Sequence, residues 1–438
     1  MIESPPKFEK KDLSNAFSAI DNVNYKPLLY KISNNYLYWD KVKYLSPLDE
    51  IDNKILWFST KIQRRLNYKS IKFGRYNFNY CITDKMQELL HEFDLNFGGN
   101  LESKDIIPEK DKQYYLISSI MEEAIASSKM EGASTTRKVA KEMLRKEDKP
   151  KNKGQRMIAN NYATITYLSE HKQDDFSLEK LLEIHKLISS GTLDNIEDEG
   201  KIRDNNNIFV VNEQESEIAY TPPTFTELDL LLNDLFKFFN EEDEENFIHP
   251  IVKGIIIHFM LSYIHPFSDG NGRTARSLVY WYLMKRGYCL TEYLSISRII
   301  YKNKTQYEKA FLYTEHDEND LSYFIHFNLI TMKKAYEELK LYLQRKINER
   351  NHTLIYNTIP DINERQASIL KIYTDNQNSI LTIKELENRF GVSNQTARID
   401  ITSLVVKGFV KEIALNKRKI GYIRSENFLL EMEKYNKK

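Results

Sequence analysis

The chain has 438 residues, too many for one ordinary hydrophobic core, so we expect roughly two to four domains. Lys plus Arg and Asp plus Glu each number 63, so the overall charge does not indicate nucleic acid or membrane as a partner. Two cysteines are too few for a disulfide scaffold or a cysteine-based zinc site, and no apolar run reaches the roughly 18 residues of a membrane helix. We expect a soluble, cytoplasmic protein with no membrane partner.

Residues 1–104 form a mostly helical N-terminal region by pattern. Aromatic residues such as Trp39 and Trp57 recur there among apolar ones, which indicates a packed core. The basic run Lys61–Arg65 is predicted to be the solvated face of a helix, although a basic run among aromatics can also bind nucleic acid. We assign this region a structural or accessory role.

A helix is predicted from Gln113 to Gly132, with its apolar stripe at Ile117, Ile120, Met121, Ala124 and Ile125. At about 100° per residue, Glu131 lies only about 40° from the axis of that stripe. A carboxylate on the buried side needs a cationic partner, because an unpaired one costs several kcal/mol. The alternative is a frayed helix end with a solvated Glu131, and the pattern leaves both interpretations open.

Charged residues from Leu144 to Gln155 predict a connection, followed by amphipathic helices over Arg156–His171 and Ser177–Ser190. His185 in the second helix is interpreted as a packed core histidine. Three short strands are predicted next, over Gly200–Arg203, Ile208–Val211 and Ala219–Pro223. A helix is predicted after them, over Thr226–Asn240. The last two strands form a hairpin, which is marginal by itself, so we expect it to serve a partner, with a plain connecting hairpin as the alternative.

The most informative stretch joins two helices. Pro250–Ile264 is almost continuously apolar and predicts a buried helix that stops at His265, because Pro266 disfavours helical geometry in the residue before it. A second helix is predicted over Arg273–Arg286 and closes at Gly287. The glycine-rich turn between the helices therefore meets the N-terminus of the second, where free N–H groups and the positive end of the helix dipole favour anions.

The side chains of this turn supply an acid, a base and two cations. His265 can accept a proton near neutral pH. Asp269 is a hard oxygen ligand suited to Mg²⁺ together with substrate phosphates. Arg273 and Arg276 lie three residues apart on one helix face, where they can hold a di- or triphosphate. The constellation predicts transfer of a phosphorus group to a nucleophile that His265 deprotonates.

The segment HPFSDGNGRTAR, residues 265–276, closely resembles the HPFx[DE]GNGRxxR signature of the Fic (filamentation induced by cyclic AMP) family. This resemblance implies a Mg²⁺-dependent transferase that moves AMP from ATP to a Ser, Thr or Tyr hydroxyl of a protein. It also implies a role for each side chain. His265 is the general base, Asp269 the Mg²⁺ ligand, Phe267 the anchor of the loop, Gly270, Asn271 and Gly272 the phosphate cradle, and Arg273 and Arg276 the ligands of the outer phosphates.

Two further segments resemble parts of that family. The run Ser127–Gly132 is similar to its inhibitory motif [ST]xxxE[GN], which implies that Glu131 pairs with Arg276, supported by Ser127, and blocks productive seating of the γ-phosphate. The predicted hairpin resembles the Fic flap, which binds the target by adding its segment as a strand. Its edge would be formed by Ile208, Phe209, Val210 and Val211.

From Ile362 onward the pattern changes to three short helices and two β-prone runs, an order that resembles a winged helix-turn-helix. Residues 361–424 contain 11 basic and 7 acidic residues, an excess of four positive charges. We interpret this region as a DNA-binding surface. The candidates for contacts to base edges are Asn394, Gln395 and Arg398. The candidates for contacts to phosphates are Lys417, Arg418 and Lys419. The alternative is a protein-docking or dimerisation module.

The sequence thus predicts a mainly α-helical protein with a Fic-type helical core, a small β-hairpin flap and a C-terminal winged helix-turn-helix. The predicted domains are 1–104, 105–350 with the inhibitory helix 113–132, and 351–438. The predicted function is self-inhibited AMP transfer to a protein, with the chain itself as one candidate target. Two alternatives stay open, removal of AMP from a modified protein with Glu131 positioning a water, and a DNA-binding regulator whose core senses nucleotide. Homodimerisation is a further candidate interaction.

Overall fold

The computed structural model describes residues 2–9, 11–45, 52–97, 112–212, 217–242, 245–351, 356, 359–416 and 419–434. These residues are mainly helical and include three separate two-stranded antiparallel sheets, which confirms the predicted fold class. Among the described helices, none combines the length and the apolar character needed to span a bilayer.

The N-terminal region is built from helices around one hairpin. Its elements are α1 (Asp12–Asp21), α2 (Lys26–Asn34), α3 (Trp39–Val42), α4 (Asn53–Leu66), β1 (Lys69–Phe73), β2 (Tyr76–Tyr80) and α5 (Asp84–Phe97). The helical pattern did not predict the β1–β2 hairpin. Phe73 and Phe78 from this hairpin pack against Phe238 and Phe259 of the central domain, so the two regions share one hydrophobic core. The predicted boundary near residue 104 lies outside the described residues and stays a prediction.

The predicted solvated face of α4 is wrong for two of its cations. Lys61 and Arg64 are buried, because α4 lies between the N-terminal region and the central domain. Lys61 pairs with Asp317 at 3.0 Å, and the Arg64 guanidinium lies 3.8 Å from the centre of the Tyr36 ring. These partners compensate the loss of hydration, while Arg65 on the same helix remains half-exposed.

The central domain has twelve regular elements within the described residues. They are α6 (Lys112–Met130), α7 (Arg137–Lys146), α8 (Lys153–Glu170), α9 (Leu178–Ser189), β3 (Val210–Asn212), β4 (Glu217–Tyr220), α10 (Leu228–Asn240), α11 (Pro250–Ile264), α12 (Asn271–Lys285), α13 (Ile296–Lys302), α14 (Lys304–His316) and α15 (Ser322–Asn351). Helix α11 is buried on every side, apart from Pro250 and Ser262, which its nearly uniform apolar sequence requires. It packs directly against α12, and together they form the centre of the main core.

Several boundaries in the central domain differ from the prediction. The connection between α7 and α8 is shorter than Leu144–Gln155, because Asn152 caps α8 by accepting the N–H of Gln155 at 2.8 Å. The strand predicted at 200–203 is absent, since the Arg203 N–H donates to the Pro266 carbonyl at 2.9 Å instead of to a neighbouring strand. Pairing in the hairpin begins only at Val210, so 208–209 precede the paired strand.

The C-terminal region is a winged helix-turn-helix, as the sequence predicts. Its elements are α16 (Glu364–Asp375), α17 (Ile383–Phe390), α18 (Asn394–Val406), β5 (Val410–Ala414), β6 (Ile420–Arg424) and α19 (Phe428–Glu433). Thr382 and Ser393 cap α17 and α18, and Gly391 makes the turn between them with φ of +63°. This region has an apolar cluster of its own, which includes Leu370, Leu386, Ile401, Leu404 and Phe409.

Candidate active site

The loop between α11 and α12 carries the predicted active-site residues. His265 ends α11 in the left-handed conformation, with φ of 49° and ψ of 58°, a conformation that non-glycine residues seldom adopt. Gly270 then begins α12 with φ of +86°. Because both flanking helices are buried, these two backbone positions are fixed by the core.

The imidazole of His265 is arranged as a proton acceptor. Its Nδ1 lies 3.2 Å from the carbonyl oxygen of Ser262, which can only accept, so Nδ1 carries the proton and Nε2 has a free lone pair. Burial lowers the pKa of His265 below its ordinary value, and the hydrogen bond to Ser262 offsets only part of this effect. The ring is therefore neutral at pH 7, as a general base requires.

Two side chains hold the backbone of the loop. Arg203 donates through Nε to the carbonyl of His265 at 2.9 Å, and its own N–H donates to Pro266. Asn271 bonds both polar groups of the Phe267 backbone, accepting its N–H at 3.0 Å and donating to its carbonyl at 2.9 Å. The side chain of Asn271 thus closes the loop, and only its backbone remains available to a ligand.

His185 supports the same loop from α9. Its ring stacks on Phe267, with centroids 3.6 Å apart and planes within 2°. Nε2 lies 2.8 Å from the carbonyl oxygen of Asp269, while Nδ1 accepts the N–H of Gly200 at 3.0 Å, so the proton is on Nε2. Burial lowers the pKa of His185 to about 4, which keeps the ring neutral. The packed histidine that the sequence indicated is also a positioning residue for the loop.

An anion-binding site forms at the N-terminus of α12. The first N–H groups of a helix have no partner within the helix, and its dipole favours negative charge there. Arg273 is fully buried and donates through Nη1 to the Ile188 carbonyl at 3.1 Å. Its Nε and Nη2 have no hydrogen-bond partner among the described residues. Oδ2 of Asp269 lies 3.8 Å from Nη2, within ion-pair distance but too far for a hydrogen bond. Buried donors of this kind are costly unless a ligand satisfies them.

Asp269 is the one carboxylate in the loop. Its side chain is 55% exposed, and the N–H of Gly270 donates to its Oδ1. Within the described residues, no group of three or more His, Cys, Asp or Glu side chains could hold a metal by itself. One carboxylate is nevertheless the usual protein contribution to a Mg²⁺ ion that is also bound by substrate phosphates and water. The donor set therefore fits Mg²⁺ only together with a phosphate ligand.

The structure brings Glu131 and Ser127 to Arg276. Glu131 Oε1 accepts from Nη2 of Arg276 at 2.7 Å, and Ser127 Oγ accepts from Nε at 2.8 Å. Burial raises the pKa of Glu131, but the attraction of Arg276 outweighs it, so the pKa ends below its ordinary value. The same carboxylate raises the pKa of Arg276 against the opposing effect of burial. Both groups are charged in this pair.

The Glu131 carboxylate lies directly over the loop. A Cβ atom at position 272 would collide with its Oε1 and lie 3.1 Å from Nη1 of Arg276, so only glycine permits this approach. The side chain of Glu131 is 30% exposed, whereas that of Arg276 is 4% exposed. An internal anion therefore occupies the edge of the anion-binding site.

The β3–β4 hairpin lies beside the loop. The Tyr220 hydroxyl donates to the carbonyl of Tyr263 near the end of α11 at 2.9 Å, which anchors β4. Phe209, Val211 and Ile218 are 43%, 51% and 59% exposed. Among the described strands β3 pairs only with β4, so its outer edge has no strand partner.

Comparison with known proteins identifies the domain around this loop. Residues 175–283 match the family model described as Fic/DOC family. The chain contains a Fic domain. Protein adenylyltransferase Fic of Aedes aegypti is 36% identical over 118 residues, which are 27% of this chain and 21% of that protein. The corresponding protein of Drosophila yakuba is 34% identical over 114 residues, 26% of this chain and 21% of its own length.

The chain thus spans about a fifth of the length of these curated relatives. The Fic fold is also present in a solved structure, a Fic family protein from Desulfovibrio desulfuricans G20, with a TM-score of 0.50 and 18% identity. That match covers 79% of this chain and 98% of the other. At the C-terminus, residues 365–413 match a DeoR-like helix-turn-helix domain.

The predicted DNA contacts lie on the winged helix, apart from the Fic loop. Asn394, Gln395 and Arg398 are exposed on α18, where Asn394 contacts Glu387 and Arg398 donates to Asn394 at 2.8 Å. In the wing, Lys419 pairs with Asp148, just beyond α7, at 3.2 Å. The other two predicted contacts, Lys417 and Arg418, lie outside the described residues.

Arg203 and the loop-supporting role of His185 were missed at the level of sequence. The pattern places Arg203 in a strand, and its only signal is a cation beside apolar Ile202, with a second cation at Lys201. His185 had a clearer signal, because a histidine that is buried within an amphipathic helix must find a polar partner. Neither signal identifies that partner.

Proposed function

We propose that this protein transfers AMP from ATP to a Ser, Thr or Tyr hydroxyl of a protein, and that Glu131 restrains the reaction in the resting state. The main support is Arg273, whose buried Nε and Nη2 have no hydrogen-bond partner among the described residues. They lie in the first turn of α12, which follows the loop that carries neutral His265 and the exposed Asp269. The curated relatives of the Fic domain carry the name protein adenylyltransferase.

In the proposed reaction His265 Nε2 takes the proton of the target hydroxyl. The hydroxyl oxygen forms a bond to the α-phosphorus of ATP, and the bond from that phosphorus to the bridging oxygen breaks, so pyrophosphate leaves. Arg273 and the loop N–H groups hold the outer phosphates, with Gly270 and Gly272 allowing their close approach. Asp269 would hold Mg²⁺, which neutralises the charge of the phosphates when bound.

The hairpin is the proposed docking site of the target. An extended segment can add to the unpaired edge of β3, with main-chain hydrogen bonds supplying affinity. The segment from Ile208 to Val211 supplies that edge in the proposal, and the exposed Phe209 and Val211 offer apolar contacts to target side chains. This arrangement would bring a target hydroxyl towards His265.

Inhibition in this proposal is competition for Arg276. A γ-phosphate bound there would meet a guanidinium whose Nε and Nη2 already donate to Ser127 and Glu131. It would also approach the Glu131 carboxylate, and two anions repel strongly in a partly buried site. ATP would therefore bind without its outer phosphates correctly seated until Glu131 moves away.

Substituting Glu131 tests activity and inhibition together. We expect Glu131→Gly to raise incorporation of labelled AMP by at least about ten-fold. In the parent, ATP must first break the partly buried ion pair between Glu131 and Arg276, which costs more than about 1.4 kcal/mol. Glu131→Gln keeps an acceptor without charge and should fall between the parent and Glu131→Gly. Adding His265→Ala to Glu131→Gly should abolish labelling. Equal incorporation in the parent and Glu131→Gly would contradict the inhibition proposal.

The lowered pKa of His265 predicts the pH profile of Glu131→Gly. Burial favours the neutral ring, and removing the Glu131 carboxylate takes away an anion that favours the protonated one. The value of kcat/KM for ATP should stay level from about pH 8 to about pH 6.5, the ordinary pKa of histidine, and decline only below it. A decline that begins above neutral pH would show that His265 is not the base.

The winged helix supports a second function. We propose that it binds duplex DNA, with Asn394, Gln395 and Arg398 of α18 facing base edges and the wing contacting phosphates. Support comes from the DeoR-like helix-turn-helix match and from the exposure of these α18 residues. Its rival is a protein-docking or dimerisation role, which the exposed Ile399 and Val406 on the same helix would serve.

Salt dependence separates the two roles. Contacts to phosphate by Lys417, Arg418 and Lys419 predict that the logarithm of the DNA-binding constant falls with the logarithm of salt with a slope of about −3, roughly −0.9 for each contact. Replacing Lys417 and Arg418 by alanine should reduce the slope to about −1. A slope near zero in the parent, measured by fluorescence anisotropy, would remove the DNA proposal.

A further inference from the structure

The winged helix docks on α6 and α7, the first two helices of the central domain. Its docking surface consists of Lys384 and Asn388 of α17, the turn at Gly391, and Lys419 of the wing. Asn388 donates to the carbonyl of Arg145 at 2.8 Å, and the two lysines pair with carboxylates just beyond α7. These pairs are Lys384 with Glu147 at 3.1 Å and Lys419 with Asp148 at 3.2 Å.

The turn of the helix-turn-helix contacts the first turn of α6. A Cβ atom at Gly391 would lie 2.7 Å from the Cβ of Gln113 and 3.0 Å from the backbone nitrogen of Tyr114. The backbones therefore approach closely, and φ of +63° also favours glycine at this position. This close packing fixes the position of α6 relative to the winged helix.

Helices α6 and α7 form one unit, and Glu131 lies in the connection between them. Glu122 on α6 is bound by Arg137 and Lys141 of α7 at 2.5 and 3.0 Å. Apolar side chains of both helices pack with α8 in a small cluster separate from the main core, comprising Met121, Ile125, Ala133, Ala140, Met143, Leu144, Met157 and Ile158. Gln113 and Glu131 lie at opposite ends of α6, and its rise of about 1.5 Å per residue places them about 27 Å apart. A shift of α6 at the winged-helix end therefore reaches the inhibitory end.

Duplex DNA would need part of the same docking surface. In a helix-turn-helix the recognition helix enters the major groove while the preceding helix crosses the phosphate backbone. The preceding helix here is α17, and its docked side faces α6 and α7. Lys419 already binds Asp148, a carboxylate that would repel a phosphate approaching that lysine.

We propose that the docked winged helix holds Glu131 over Arg276 and that duplex DNA releases it by competing for the docking surface. This inference rests on the proposed AMP transfer and DNA binding. A ligand that binds only the undocked winged helix shifts the chain towards that state. Coupling is reciprocal, so ATP that displaces Glu131 should in turn strengthen DNA binding.

The first test disrupts docking in the full chain without DNA. The docking variant is Lys384→Glu with Asn388→Ala, and the control is Lys411→Glu, whose lysine is equally exposed, at 44%, but pairs with Glu426 inside the winged helix. We expect amides of Ser127–Glu131 to exchange hydrogen about two- to five-fold faster in the docking variant, the range that one or two exposed polar contacts support. AMP labelling should rise by a similar factor, and Glu147→Lys added to Lys384→Glu should restore the parent values.

The readouts separate this inference from the functions on which it rests. Exchange and labelling equal to those of the Lys411→Glu control would overturn it. Failure of Glu131→Gly to label would refute the proposed activity, while the exchange measurement would still decide the docking claim.

The second test adds duplex DNA. DNA should accelerate exchange at 127–131 and raise labelling in the parent, with little further effect in the docking variant. An ATP analogue that resists hydrolysis should tighten DNA binding to the parent. DNA that binds the parent without changing exchange in this segment, or that does not bind at all, would overturn the release mechanism.

Discussion

The proposed inhibition depends on a buried guanidinium that must have an anion. Arg276 is almost fully enclosed, so leaving its donors unpaired would cost several kcal/mol. In this structure Glu131 and Ser127 satisfy it from the end of α6. A γ-phosphate has the same sign of charge and can also accept two hydrogen bonds from a guanidinium, so one cation can serve either an internal or an external ligand. The partly exposed Glu131 is the member of the pair that can leave, because Arg276 is held by the core around α12.

Local patterns predicted much of the fold and the loop. The apolar run of α11 and the glycine-rich turn after it depend on neighbours in sequence, and the structure agrees with them. Features that depend on tertiary partners were missed. The sequence predicts a solvated face at residues 61–65, because it does not show that Asp317 lies beside Lys61 in the folded chain.

The loop is held in the same way by residues distant in sequence. Arg203 and His185 bond its backbone carbonyls, and neither lies within the signature. His265 Nε2 and two donors of Arg273 remain available to ligands, whereas Asn271 and Phe267 seat the loop. The contacts of the winged helix are weaker, because Lys384 and Lys419 meet carboxylates beyond α7 as exposed ion pairs. A rigid loop next to weaker docking contacts is an arrangement that a regulated site can use.

The most direct measurement compares the binding of ATP and ADP, because only ATP carries the γ-phosphate that would compete with Glu131. Both nucleotides can be titrated by calorimetry into chains carrying His265→Ala to prevent turnover, with and without Glu131→Gly. If Glu131 competes with the γ-phosphate, its removal strengthens ATP binding by about ten-fold or more and changes ADP binding little. Equal changes for the two nucleotides, or none for either, would contradict the claim that Glu131 occupies the γ-phosphate position on Arg276.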